Sequence, residues 1–534
     1  MNPVPAQTAH STSQARALAI VATVGINLSL VHYFALMEFP ALLGSNELVA
    51  LIALGAYFLG LSLGYLVSDR ISRYGLTAIG IGTLMFYVTL PYLPRLMVGW
   101  FWEVQWPGVI PPFVFLIVLC GITPFYAVFL PRLIQSAAAG AGNGRERRQW
   151  WLVKLYATEI GGGLAGLLLA VLFTPANMRL ILTTHLAGLV VLVALGSGSS
   201  WRRVFALLAP LPALYLGFAP ALDRATLSYC YEQKLSISWV NFLASEFSPY
   251  QRVDIFEQRL RNGTNIYLYL NGNLYYGSPL LYRHNLFVSI LPNLMAPRPS
   301  NALVIGGGSL DNARYLAPRV GRLHVVELDQ TVVRLTREHI QERRGQFPTN
   351  WSLTIDDGKH FLGNYDGPPF DVISIDVPMP TFLQTAMLHS DRFFALARTR
   401  LAPGGIFSVS LCGTCSAEKP GDRPGAARVS NRVMAGLLKN FRHVIVMRSD
   451  DRDFAWASDA PIPFAADQLL ARATEFVKET RTLHYFGTFE IELLDPKEVR
   501  SWAQGYAPIG EADMQVVLRL SISKLMDSYF EDSE

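Results

Sequence analysis

Along its first 222 residues the chain is almost entirely apolar, broken at short intervals by arginine, glycine and proline. A transmembrane helix needs about 20 mostly apolar residues, and such runs occur at roughly 17–38, 46–68, 76–99, 108–131, 151–173, 178–197 and 203–222. The pattern predicts seven spans. No small-residue cleavage site follows the first run, so it reads as a span rather than a removable signal peptide. From about 223 the pattern changes to alternation and turns. Gln251–Gln258 and Asn265–Leu270 alternate in strand fashion around Asn262-Gly263, and a second Asn-Gly, Asn271-Gly272, announces a third strand. Residues 223–285 therefore read as a small antiparallel β unit. Strands are then expected at Ala302–Ile305, Leu323–Val326, Ser352–Ile355, Asp371–Ile375 and Ile406–Leu411, with a helix at Asp311–Ala317. This order predicts a Rossmann-like α/β domain over 286–465, followed by a C-terminal extension, 466–534.

Composition sharpens the division. The 534 residues are 51% hydrophobic and 16% charged, with a mean hydropathy of +0.27. Only 18 of the 86 Asp, Glu, Lys and Arg fall within 1–222, leaving 68 for the other 312 residues. The average therefore covers two different polymers, a membrane half and a water-soluble half. So much apolar material excludes a disordered chain. Four cysteines cannot staple a chain of this size, and a net charge of +4 is too mild for a nucleic-acid partner.

Lys and Arg in short loops set the orientation. Arg70, Arg73, Arg132, Arg145, Arg147, Arg148, Lys154, Arg202 and Arg203 fall in or beside the loops after spans two, four and six, against Arg95 and Arg179 in the alternate loops. Nine against two places the even loops in the cytoplasm and, with seven spans, the C-terminal domain outside it. A bacterial inner membrane is the expected location. Gly60-x-x-x-Gly64 and Gly162-x-x-x-Gly166 suit close helix packing in lipid. Polar groups inside the spans are few: Asn27, His32, Glu38, Glu159 and His185. Glu159 reads either as a functional site or as a carboxyl bonded to a neighbouring helix; His32 and His185 read as interhelical hydrogen-bond partners.

The chemistry gathers at strand ends. Gly306-Gly307-Gly308 follows a buried strand and opens a helix, a turn that lets backbone approach a ligand closely. Glu327 lies 21 positions after Gly306, at the tip of the next strand, where an acid accepts both ribose hydroxyl hydrogen bonds. Asp356-Asp357-Gly358 and Asp376 end two further strands. Helix capping explains any one of these acids and strains to explain all three tips.

These residues resemble the spermidine synthase-like aminopropyltransferases over roughly 235–460, and the multi-pass first half resembles that family's membrane-bound bacterial branch. The strings that carry the resemblance are Ser248-Pro249-Tyr250-Gln251, Tyr269-Leu270-Asn271-Gly272, Tyr282, Val304-Ile305-Gly306-Gly307-Gly308, Val326-Glu327-Leu328-Asp329, Asp356-Asp357-Gly358, Phe370-Asp371-Val372-Ile373 with Asp376, Leu401-Ala402-Pro403-Gly404-Gly405 and Phe454-Ala455-Trp456-Ala457-Ser458. The resemblance implies a class I methyltransferase/spermidine synthase type of fold and transfer of aminopropyl from decarboxylated S-adenosylmethionine to an amine, with methylthioadenosine released and no tightly bound cofactor. It implies that Gln251, Gly306, Gly307, Gly308, Glu327, Asp357 and Gly358 hold the nucleoside, that Asp376 is the general base, and that Tyr282 and Asp311 touch the acceptor. No metal is implied. The partners expected are the lipid bilayer, a small-molecule or membrane-delivered amine, and a second copy of the chain.

Departures cluster on the acceptor side. The family's Gly-Gly-Gly-Asp-Gly-Gly reads Gly306-Gly307-Gly308-Ser309-Leu310-Asp311, so Ser309 replaces the acid that grips the donor's amine unless Asp311 substitutes. The Asp of Leu-Asp-Gly is Asn271 and the following Gln is Tyr275. Tyr-His-Glu reads Tyr282-Arg283-His284, and the second acid of Asp-x-x-Asp is Met379. A diamine is a dication and wants several carboxylates, which predicts a less cationic acceptor. An S-adenosylmethionine-dependent methyltransferase and a silent binding or assembly module remain alternatives. Cys412-Gly413-Thr414-Cys415 reads as free or structural thiols, a local disulfide or a redox pair, and no second ligand pair completes a zinc site.

Overall fold

The computed structural model describes residues 6–43, 46–71, 73–104, 110–140, 145–173, 178–197, 200–261, 263–278, 280–281, 283–296, 299–378, 380, 382–411, 426–449, 452–480, 483–484 and 490–520. The chain divides into two compact units, 1–241 with 246–252, and 242–245 with 253–534. Tyr282, Met379, Cys412 and Cys415 lie outside the described residues.

The first unit is helical. Among the described residues, six helices are long and apolar enough to cross a membrane: Gln14–Leu42, Val49–Arg70, Val114–Gln135, Gln149–Phe173, Met178–Gly196 and Trp201–Lys234. The expected third span is instead a pair, Ala78–Thr89 and Leu93–Val104, bent by 61°. Pro91 and Pro94 explain the break, since each lacks the N–H that a continuous helix requires. The last helix, expected to end at 222, continues to Lys234 and carries Asp223.

Both glycine pairs are packing devices. A Cβ on Gly162 or Gly166 would collide with the backbone of Ala22 or Ile26, and one on Gly60 or Gly64 with Thr123, Cys120 or Pro124. His185 accepts or donates at 2.7 Å to the Tyr126 hydroxyl, and the Asn27 amide donates to the His185 carbonyl at 3.0 Å. His32 meets the Tyr57 ring edge-on at 5.0 Å. Arg95, read as a loop cation, is buried and ion-paired. Its Nε donates to Glu38 Oε1 at 2.7 Å and its Nη1 to Asp223 Oδ1 at 2.7 Å. Arg252, which groups with this unit, donates to Glu38 at 2.9 Å, and Arg179 to Asp223 at 2.8 Å.

A four-stranded sheet, β1 (Val240–Phe247), β2 (Arg252–Leu260), β3 (Gly263–Leu270) and β4 (Asn273–Ser278), runs in chain order. Asn271 and Gly272 take φ of +47° and +70° in the β3–β4 hairpin, as an Asn-Gly turn with both centres left-handed requires. The sequence reading missed β1, whose burial follows no alternation. A short pair joins β5 (Leu280–Leu281) to β13 (Leu483–His484).

The main sheet contains β6 (Asn301–Gly306), β7 (Arg322–Glu327), β8 (Trp351–Ile355), β9 (Phe370–Asp376), β10 (Leu401–Ser410), β11 (His443–Ser449), β12 (Arg452–Ser458) and β14 (Glu492–Leu493), in the order β14-β11-β12-β10-β9-β6-β7-β8. The run from β10 to β8 is parallel, while β12, β11 and β14 are antiparallel additions. Strand order reverses between β6 and β9, the switch point where open α/β sheets bind ligands. The C-terminal residues expected as an extension belong to this domain. Leu469, Ala473 and Phe476 join one core cluster and Val499, Ile509, Val516 and Leu520 another, while β14 extends the sheet.

Candidate active site

The turn after β6 is shaped by its neighbours. Gly306 has φ +88° and is the register partner of Asp376; a Cβ there would strike the Asp376 carbonyl. The Gly307 N–H is shared between that carbonyl, at 3.1 Å, and the Tyr275 hydroxyl, at 3.0 Å. A Cβ on Gly308 would lie 3.0 Å from Glu327 Oε2. The turn thus lies between the two acids at the ends of β7 and β9. Leu310, where the family pattern has glycine, holds φ +57° while buried. That conformation costs a non-glycine residue roughly 1–2 kcal/mol, so burial of the side chain must offset it.

Asp376 is buried and held on both carboxylate oxygens. His284 Nε2 lies 2.9 Å from Oδ1, and the Asn312 amide donates to Oδ2. Burial pushes the Glu327 carboxyl up to about 7, while the Asp329 backbone N–H, donating at 3.1 Å, holds back part of that rise. Burial, with the charges of Asp376 and Glu327, drives the Tyr275 hydroxyl well above its ordinary range. The cleft end of the sheet therefore offers a backbone cradle, a proton-exchanging carboxyl and a fixed aspartate, side by side.

The remaining expected residues divide. Asp357 caps the helix Gly358–Asn364, its Oδ1 accepting from the Lys359 and His360 N–H groups, both at 2.9 Å. Gly358 is required sterically, because a Cβ would strike the Ile305 side chain. Asp356 pairs with His360 at 2.7 Å. Capping thus explains Asp357 but neither Glu327 nor Asp376. Asp311 does not stand in for the missing acid as an open carboxylate. It is buried against Arg344, whose guanidinium also donates to the Tyr276 and Tyr315 hydroxyls at 2.8 Å each. Ser309 is buried, its carbonyl accepting from Gln341 at 2.6 Å. Gln251 lies in the turn before β2, grouped with the first unit, and its carbonyl accepts from the Ser248 N–H at 2.8 Å.

Three residues of the site were not chosen from sequence: Tyr275, His284 and Asn312. The first two stood out only as departures from family strings. The third had a signal, a polar residue in the first turn of the helix that follows the glycines.

Residues 284–418 match the model of the spermine/spermidine synthase domain. The chain is 30% identical over 260 residues to a polyamine aminopropyltransferase of Mycobacterium tuberculosis, covering 45% of this chain and 47% of that protein. It is 26% identical over 330 residues to one of Leptospira interrogans, covering 58% and 62%. The chain thus spans about half the length of the curated relatives it matches. A spermidine synthase structure from Thermotoga maritima aligns at 20% identity and TM-score 0.36, over 52% of this chain and 87% of that one. Residues 284–418 are thus similar to the spermine/spermidine synthase domain.

Proposed function

From a spermidine synthase-like second half, we propose that the protein is a membrane-bound aminopropyltransferase. It would move aminopropyl from decarboxylated S-adenosylmethionine to an amine and release methylthioadenosine. One observation carries the reading: Gly306 and Asp376 are register partners at the switch point, with Glu327 against Gly308. The donor's ribose would lie on Glu327 and its sulfonium-bearing end near the Asp376 carboxylate, which favours the positive charge. Gly307 and Gly358 complete the proposed nucleoside side, with Asp357 capping the helix that Gly358 opens.

The acceptor side supports an amine less cationic than a free diamine, or one delivered by the membrane or a partner. Asn271 replaces an acid, and Asp311 is neutralised by Arg344. Losing one carboxylate partner of a buried ammonium costs on the order of 2–5 kcal/mol. Even the low end weakens a diamine's binding more than tenfold.

The first unit would span a bacterial inner membrane. Leu66, Val153, Ile160, Leu172 and Leu207 are each two thirds exposed or more, which suits lipid rather than water. Counting the bent pair Ala78–Thr89 and Leu93–Val104 as one crossing, seven in all, the arginine count favours an extracytoplasmic second unit even with Arg95 buried, and a reporter fused after Leu520 reads its side directly.

The deciding measurement is thermal stabilisation by methylthioadenosine, S-adenosylmethionine and its decarboxylated form, followed by transfer assays with monoamines, putrescine and spermidine. Stabilisation by the decarboxylated donor with Asp376-dependent transfer supports the reading. A response only to S-adenosylmethionine, with methyl transfer, replaces it by a methyltransferase. Robust transfer to free putrescine at micromolar concentration overturns the weakly cationic acceptor.

A further inference from the structure

The sequence presents Asp376 as the base, yet the geometry places an imidazole against it. His284 occupies the position where the family string has glutamate, and it leads into the buried turn Leu286–Ile290. Its Nε2 is 2.9 Å from Asp376 Oδ1, and the ring remains 21% exposed. Among the described residues nothing bonds its Nδ1. Asp376, by contrast, is committed at every oxygen: Oδ1 to His284, Oδ2 to Asn312, and the carbonyl to the Gly307 N–H.

We propose that His284 takes the proton from the attacking amine, while Asp376 orients the imidazole and balances the charge it acquires. This rests on the aminopropyl-transfer reading above. Asp376 accepts Nε2–H, which fixes the neutral tautomer with its acceptor lone pair on Nδ1. That is the general arrangement of a base held by a third group. The amine's lone pair forms the C–N bond as the C–S electrons leave with sulfur, so the sulfonium becomes a neutral thioether. The positive charge passes to nitrogen, and that nitrogen's proton moves to Nδ1. No oxidant or further reactant is needed.

Two chemical facts favour imidazole. Its ordinary proton affinity exceeds that of a carboxylate by two to three pH units, nearer a working pH where a general base is most effective. It also adds no negative charge to the ground state. A site that exchanges Glu for His grips a dication less strongly, in keeping with the loss of the acid at Asn271. The titratable groups set against His284 among the described residues are Asp376, from β9, and His389, which follows the helix Leu383–Leu388. Burial pushes His389 down to about 4, and its Nδ1 lies 2.7 Å from the Thr385 carbonyl, so it contributes a neutral ring.

The test uses full-length protein with decarboxylated S-adenosylmethionine and a panel of amines from monoamines to spermidine, comparing wild type, His284→Gln, His284→Ala and Asp376→Asn from pH 5.5 to 9. Thermal stabilisation by methylthioadenosine reports an intact nucleoside site. The expected result is that His284→Gln keeps this stabilisation while transfer falls about 100-fold or more. Added imidazole should restore part of the His284→Ala rate. In Asp376→Asn the acid limb of the rate profile should move to lower pH without vanishing. If His284→Gln transfers within about threefold of wild type with the same acid limb, or if Asp376→Asn abolishes the limb, Asp376 is the base and the proposal fails. Wild type that binds methylthioadenosine but transfers to no amine of the panel, monoamines included, fails differently, because it removes the aminopropyl-transfer reading itself.

Discussion

With its carboxyl raised to about 7 by burial, Glu327 exchanges a proton inside the physiological range. The unfolded chain releases that proton near 4.5. Between these values the native state holds more protons than the unfolded state, so this residue's contribution to stability is lost as pH rises through the window. The span corresponds to roughly 3 kcal/mol. Urea midpoints between pH 4.5 and 7.5 should therefore fall less steeply in Glu327→Gln than in wild type. Methylthioadenosine affinity should behave oppositely in wild type, strengthening as the carboxylate forms. Glu327→Ala should abolish binding, and Leu328→Val should leave it unchanged; equal affinity in all three would remove the nucleoside from this turn. Tyr275 acts beside it, sharing the Gly307 N–H with the Asp376 carbonyl. Tyr275→Phe leaves that N–H one partner and should cost about 1 kcal/mol in unfolding free energy. Its readout is the thermal midpoint without ligand.

At the scale of elements, the glycines of the helix Arg145–Phe173 give a controlled comparison. Gly162 faces Ala22 without room for a methyl group, whereas a Cβ on Gly161 meets nothing within 4 Å. Gly162→Leu should destabilise the helical unit by several kcal/mol, since the clash is with backbone rather than a mobile side chain. Gly161→Leu should be nearly neutral. Monodispersity and thermal inactivation in detergent distinguish the two. The parallel strands were legible because each is a short apolar run ended by a turn signal or an acid. The β3–β4 hairpin was legible because Asn271-Gly272 tolerates two left-handed residues. β1 was not, because a strand with one partner and mixed burial leaves no period to read. The helix running on to Lys234 hid its length for a related reason. Asp223 and Arg224 look like a span's end, although Asp223 is neutralised by arginines from elsewhere in the unit.

For the whole molecule, that pairing is the feature the sequence disguised most. Arg95, Arg179, Arg252, Glu38 and Asp223 are far apart in the chain, yet they form one linked set in the first unit. Arg95 is its hinge, bonded to both acids. Removing it leaves a buried Glu38 with one partner and Asp223 with another, and breaking a buried pair typically costs about 3–5 kcal/mol. Arg95→Ala should therefore lower the yield of folded protein sharply, while Arg203→Ala, at an exposed position, should not. Detergent-extracted yield and thermal midpoint measure both.

The two-part division, the parallel sheet, the glycine turn and the acids at its strand ends were legible from the chain alone. Each of these depends on local composition or on spacing of about 20 residues within one βαβ unit. Tertiary structure alone decided which acids remain available. It committed Asp357 to a helix cap and Asp311 to Arg344, and it set Glu327 against Gly308. It also brought His284 onto Asp376 across 92 residues. Hydrogen bonds and ion pairs between distant residues obey no sequence period. Their partners are fixed only when the β6–β9 register and the packed helices bring them within about 3 Å.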